Sequence, residues 1–426
     1  MEYPEKLLQL IWKCRLYAKV DLHCVGGERI QVLEPGRHNE DAGPDFLHAK
    51  IRINGMVWVG HVEVHWNAGN WFAHLHQNDR SFDNVILHVV WENRCDVRRR
   101  DGTVIPTLCL QQYIAPEILP FYHTLFQSQG IACASQLHSV PDYTKMQVLD
   151  RMVKNRLEAK TVEIFGYLAQ HANDWEKVTQ HLFAESFGMR VNKHAFARLI
   201  ASLPGNILDR YQGQRDVLEA LLFGQAALLP DNVIDHYTLK LKKTYLYLRR
   251  LHRLNPMETH EWRFLRMRPA NFPTIRIAQL SSVFAHVSRL CQLILSHEDL
   301  RSLQQRFFDF VPSAYWATHY QFGKVVQPRK VRLTPAFLDH IAINCFVPLL
   351  YSYGHHFGDD ALQMRAIDWL NQISAESNTV TTNYERIGLQ AQHAADSQAL
   401  LHLHQHHCER KKCLSCAIGV YILKRV

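Results

Sequence analysis

Two stretches carry the residue types needed for metal or hydrolytic chemistry: Gly43-Pro44-Asp45-Phe46 and Gly60-His61-Val62-Glu63-Val64-His65-Trp66. The second alternates in period two, so His61, Glu63 and His65 share one face of a strand while Val62, Val64 and Trp66 share the other. Asn54-Gly55 lies midway between Asp45 and Glu63, with strand-like runs over 46–53 and 56–66 on either side. That pattern predicts a hairpin with a two-residue turn. Folding it brings two carboxylates and an imidazole to one rim of a sheet. Such a rim binds Mg²⁺ or Mn²⁺ through one or two carboxylates, water and substrate phosphate. A cation held there generates hydroxide and stabilises charge on a phosphoryl oxygen. The loop before Asp45 adds Glu40 and Asp41.

Other residues are open to two readings. His88 is placed with Ile86 and Val90 on one side of a strand, as a hydrogen-bonded core histidine or as a group touching the site. His74 and His76, on the loop between, carry no clear pattern. Arg263, Arg266, Arg268 and Arg276 stand among aromatics in a segment broken by two prolines. They suit phosphate contacts beside stacked, unpaired bases, and equally arginines packed on aromatics inside a helical domain. Arg98-Arg99-Arg100 before Asp101-Gly102 reads as a solvated turn. At the other end, Cys408, Cys413 and Cys416 fall within nine residues, a spacing for metal rather than packing. His404, His406 or His407 would complete a Cys₃His zinc site, and Cys14 or Cys24 a Cys₄ iron–sulfur cluster.

The elements that must position these groups follow from periodicity. Residues 4–18 read as an amphipathic helix, followed by strands near 29–33, 46–53, 56–66, 85–91 and 104–110. From about residue 141 the pattern is helical, with runs at 147–168, 174–187, 193–203, 215–228, 235–253, 276–296, 300–308 and 338–351. The fold class is therefore α+β: a mixed sheet domain over 1–135, a mostly α-helical domain over 136–400 and a Cys/His-rich tail over 401–426. A chain of 426 residues exceeds one ordinary core. Ten cysteines, seven of them scattered, suit a reducing compartment rather than a disulfide scaffold. No apolar run is long enough for a bilayer, and the opening residues lack an apolar signal core, so the cytoplasm is expected and no membrane partner. The net charge of +8 allows nucleic acid without requiring it. The absence of a Gly-rich phosphate loop, a Gly-x-Ser-x-Gly elbow and a His-Glu-x-x-His helix disfavours ATP hydrolysis, nicotinamide chemistry, serine hydrolysis and zincin proteolysis.

Pro44-Asp45, then Glu63-Val64-His65 on a strand, behind a leading helix, resembles the PD-(D/E)XK nuclease superfamily over roughly residues 1–110. The resemblance implies that Asp45 and Glu63 hold the metal, with Glu34 or Asp41 as a further carboxylate. His65 stands where that pattern has lysine, exchanging a fixed charge for a titratable base or transition-metal ligand. A second resemblance runs from end to end. Asn39-Glu40-Asp41-Ala42-Gly43-Pro44-Asp45-Phe46, the strand 83–91, the segment 268–279 and Cys413-Leu414-Ser415-Cys416-Ala417-Ile418-Gly419 are similar to a bacterial family frequent in Bacteroidetes, domain of unknown function 2851. That family implies no activity.

Together these give an expectation of a metal-dependent, nuclease-like protein hydrolysing phosphodiester bonds of DNA or RNA. Asp45, Glu63 and His65 would be catalytic, and His61, His88 and the four arginines would contact substrate. Two rivals stand beside it. One is an inactive nuclease fold that binds nucleic acid or a partner. The other is a transition-metal enzyme for a small molecule, using His61, Glu63, His65 and His88.

Overall fold

Pro4 sets an extended backbone ahead of the first helix, α1 (Glu5–Cys14), which ends where Arg15 turns left-handed and its N–H donates to the Ile11 and Trp12 carbonyls. Leu7, Leu8, Leu10, Ile11 and Trp12 are buried on one face of α1. Each such side chain stabilises the fold by about 1.5–3 kcal/mol when removed from water. The computed structural model describes residues 3–19, 21–127 and 130–425. The chain divides into two units. The first takes in residues through Val148, Asn383–Leu389 and the tail from Leu401; the second covers Leu149–Thr382 and Gln390–Leu400.

The first unit is built on a mixed sheet. Its strands are β1 (Leu22–His23), β2 (Arg29–Glu34), β3 (Arg37–His38), β4 (Phe46–Ile53), β5 (Met56–Asn67), β6 (Val85–Glu92) and β7 (Thr107–Cys109). They are ordered β1-β2-β4-β5-β6-β7, with β3 added to β4. Pairing is antiparallel from β1 to β5 and parallel from β5 through β7. Asn54 and Gly55 both take positive φ, 46° and 87°, in the two-residue turn that joins β4 to β5. Two positive φ values in succession match the right-handed twist of the strands they connect.

Two irregularities aim the strand ends. Between Phe46 and Ala49, β4 carries an extra residue, with His48 at φ 56°. A bulge of this kind bends the strand and redirects the side chains beyond it. Between His61 and Val62 the β5–β6 register also shifts. There Gly60 lies so close to β6 that an added Cβ would stand 2.4 Å from Ile86 Cγ2 and 2.6 Å from the Asn84 carbonyl. A parallel pair requires a crossover, and residues 67–84 supply it as a short helix, α2 (Asn70–Ala73), and two 3₁₀ turns.

Val62, Val64, Leu87, Val89 and Leu108 pack with α1 and with α3 (Ile118–Gln127) in one core, which the tail residue Leu423 joins. Trp71, Phe82, Val85, Val90, Val97 and Ile105 form a second, smaller core under the crossover. His88 pairs across from Glu63 and lies, like Val90, away from the α1 core; Ile86, at the register shift, packs into that core instead. The tail, 401–425, folds as part of this unit, its helix Ala417–Leu423 packing near α3 and the turn Ala134–Ser139.

The second unit is helical, including Trp175–Phe187, Lys193–Ala201, Arg215–Gln225, His236–His252, Leu300–Phe308 and Val347–Phe357. The run expected over 276–296 is two helices, Pro273–His286 and Leu290–Ser296. Its core is aromatic: Phe183 meets Phe187, Phe307 and Phe346 with ring centroids 5.1–6.2 Å apart. Buried Glu219 accepts hydrogen bonds there from Trp316 Nε1 at 2.7 Å and Ser313 Oγ at 3.1 Å. No helix among the described residues is long and apolar enough to cross a membrane.

Candidate functional site

The hairpin places Asp45 one residue before the Phe46–Val62 pair, level with Glu63. Asp45 N–H donates to Glu63 Oε2 at 3.0 Å, and Val64 N–H donates to Asp45 Oδ2 at 3.0 Å. The other oxygen, Oδ1, accepts from Gln9 Nε2 of α1 at 2.8 Å. Glu63 is only 5% exposed. Burial, followed by the charge of Glu63, pushes Asp45 up to about 7. Burial likewise pushes Glu63 up to about 8, with Glu5 adding to the effect. Glu5, at the first turn of α1, is itself raised by burial and then by Asp45, while His74 and His76 oppose the shift. Three carboxyl groups thus crowd one rim.

Imidazoles close the other side. His65 Nε2 lies 3.4 Å from Glu63 Oε1, and His76 Nε2 lies 3.3 Å from the same oxygen. His65 Nδ1 is 2.8 Å from His88 Nε2, and His65 Nε2 is 3.3 Å from His74 Nδ1. His65, His74 and His76 each offer a ring nitrogen within 4.8 Å of the other two. Burial drives the pKa of His65 down to about 2 and that of His88 to about 3, so both rings stay neutral. His65 Nδ1 and His88 Nε2 share one hydrogen; in the tautomer that carries it on His65 Nδ1, the lone pair on Nε2 faces Glu63, His74 and His76. The crossover fixes His76, whose ring stacks on Phe82 at 3.9 Å and meets Trp71 edge-on at 5.4 Å.

Glu63 Oε1 and the ring nitrogens of His65, His74 and His76 lie close together, while both oxygens of Asp45 already accept from Gln9 and Val64. His76 Nε2 and Glu5 Oε1 are buried without an aligned hydrogen-bond partner, although His76 lies so near Glu63. Buried polar atoms normally find partners. Three imidazole nitrogens with one carboxylate oxygen beside them suit a divalent ion, and the imidazoles favour a transition ion over Mg²⁺.

The structure distributes the remaining candidates differently. Half-buried His61 neighbours His48, ring centroids 5.5 Å apart, and accepts from the His48 N–H at 3.3 Å. Glu34 is exposed and 3.9 Å from Lys50 Nζ, and exposed Asp41 is held by its N–H to Asn39 Oδ1. The carboxylate brought beside Asp45 and Glu63 is Glu5 instead. Its signal, with Gln9, was the four-residue spacing that puts both on one face of α1. Arg263, Arg266 and Arg268 are exposed in the helical unit. Arg276 is buried: its guanidinium sits 3.3 Å over the Phe337 ring and donates to Asn271 Oδ1 and Gln279 Oε1. Its place is in the core rather than on a phosphate-binding surface. Arg98, Arg99 and Arg100 donate within the protein, to the Gly102 and Val85 carbonyls, Thr103 and Asp83.

In the tail, Cys408, Cys413 and Cys416 line one cavity with His407 and with a residue the spacing had not suggested, Cys133. Burial, then Cys408, Cys416 and Cys413, push the Cys133 thiol up to about 12. Cys14 and Cys24 belong instead to the core around α1. Neither the curated proteins nor the solved structures contain a match to this chain. One family model does match, over residues 5–379. The chain belongs to the family described as protein of unknown function, DUF2851.

Proposed function

We propose that the sheet unit is a metal-dependent phosphodiester hydrolase acting on nucleic acid. The observation that carries this reading is the meeting of Asp45 and Glu63, each hydrogen-bonded to the backbone beside the other. Buried carboxyl groups that oppose one another's ionisation call for a cation, and the neighbouring imidazoles extend the donor set. When bound, a divalent ion supplies an acidic water and a counter-charge for the phosphoryl oxygens. Asp45 and Glu63 hold it, Gln9 orients Asp45, and His88 fixes the ring of His65. His65 contributes a neutral lone pair where the PD-(D/E)XK pattern has an ammonium. The leading helix, hairpin and parallel strand pair agree with that resemblance. Exposed Arg263, Arg266 and Arg268 are the candidate phosphate contacts of the helical unit.

A second reading, a transition-metal enzyme for a small molecule, draws on the convergence of His65, His74 and His76. One experiment separates them. The purified chain is incubated with labelled single- and double-stranded DNA and RNA in Mn²⁺ or Mg²⁺, beside Asp45→Asn and Glu63→Gln. Cleavage by the native chain, lost in both variants while binding persists, supports the hydrolase. Binding without cleavage points to an inactive nuclease fold. Stoichiometric zinc or iron at the histidines, with no affinity for nucleic acid, favours the small-molecule enzyme.

A further inference from the structure

Four cysteines from two distant parts of the chain meet at one cavity. Cys408, Cys413 and Cys416 come from the tail, and Cys133 from the segment after α3, 275 positions before Cys408. From this convergence we infer that the four thiols hold a [4Fe–4S] cluster, which fastens the tail onto the sheet unit.

The spacing of the sulfurs argues for a cluster rather than a single ion, and the surroundings suit thiolate ligands. Thiolates around one zinc, at about 2.3 Å from the metal, stand about 3.8 Å from each other. Among the described residues, no three of these sulfurs lie within 4.8 Å of one another. The wider setting suits a cluster in which each cysteine binds a different iron. Tyr384 donates its hydroxyl hydrogen to Cys408 Sγ at 3.0 Å, the type of contact that tunes cluster ligands. Lys412 lines the same cavity, and Lys411 is near Cys408 and Cys413, so positive charge offsets the negative charge of a thiolate-bound cluster. The backbone is shaped to the purpose as well. The 3₁₀ turn Cys413–Ser415 leads into the helix Ala417–Leu423, and a Cβ on Gly419 would stand 2.3 Å from the Cys413 carbonyl. Only glycine lets that turn lie so close to the helix.

Loading is a ligand exchange and moves no electrons. A preformed cluster carried by four small thiolates passes to the protein. Each cysteine forms an Fe–S bond and gives its proton to the thiolate that leaves, so four thiols are released.

The test uses the full chain purified without oxygen. About four iron and about four acid-labile sulfide per chain, with visible iron–sulfur absorption, are expected. Zinc in place of iron, or iron without labile sulfide, overturns the cluster. If the chain is isolated without metal, exchange from a synthetic thiolate-bound cluster is expected to restore the same absorption, and failure to take it up also overturns the inference. Cys133→Ser and Cys413→Ser should each lose most of the iron, whereas His407→Ala and the distant control Cys95→Ser should keep it. Loss of iron in His407→Ala but not in Cys133→Ser would refute the ligand set. Should a cysteine variant fail to fold, the sulfide content of the native chain still decides the cluster.

Discussion

Replacing Glu63 by glutamine should relieve the metal-free protein of a burden that grows with pH. Burial lifts this carboxyl from its ordinary 4.5 to about 8. A carboxyl with a raised folded pKa binds its proton more tightly in the folded state. Its contribution is fully present at low pH and declines as pH rises from the unfolded value toward the folded one. Between pH 4.5 and 7 that spans two and a half pH units at about 1.36 kcal/mol each, or about 3 kcal/mol. Glutamine cannot ionise. In the presence of a chelator, the unfolding free energy of Glu63→Gln relative to the native chain should therefore move by about 3 kcal/mol in the variant's favour over that interval. The assay is urea unfolding read by hydrogen exchange of peptides covering β5, which scores the sheet unit apart from the helical one. Adding Mn²⁺ at about a hundred times its Kd should return about 2.7 kcal/mol to the native chain and much less to the variant. A stability difference that stays flat with pH, or moves against the variant, would refute the reasoning.

Removing the ring behind His65, by His88→Ala, should weaken Mn²⁺ binding by about 10–100-fold, measured by calorimetry, because the ligand loses its fixed orientation. Gly60→Ala places a methyl group against Ile86 and the Asn84 carbonyl; it should destabilise the sheet unit by about 1–3 kcal/mol in urea titrations, whatever the metal content. In the helical unit, burial pushes Glu219 up to about 7. Stability there should fall as pH rises from about 4.5 toward 7, by up to about 3 kcal/mol, and Glu219→Gln should flatten that dependence in unfolding measured across the interval.

What could be read from the chain beforehand was local. Alternation over 60–66 and the Asn54-Gly55 dipeptide were sufficient to place β4, the turn and β5, and the turn brings Asp45 level with Glu63. The bulge at Leu47–His48 leaves no mark in the residue types, though it settles where Asp45 points. Glu5 and Gln9 join the group only because α1 docks on the sheet, a contact across more than thirty residues that periodicity does not specify. Cys133 is a lone cysteine in an unremarkable stretch, and only folding brings it to the tail. Arg276 shows the opposite limit. An arginine between aromatics looks the same whether it faces phosphate or core, and the choice is made by Phe337, sixty-one positions further on.

Leu423 lies in the same apolar cluster as Leu7 and Trp12, so the sheet unit is begun before the helical unit and finished only after it. The sheet leaves the ribosome long before the segment that covers part of its core, and the helical unit must be made in between. Until then Tyr122 and Leu125, which belong to that cluster, lack a neighbour they have in the folded chain. A nascent protein of this design depends on chaperones or on fast completion to avoid sticking to others. Translational pauses within the helical unit should accordingly be costlier than pauses elsewhere.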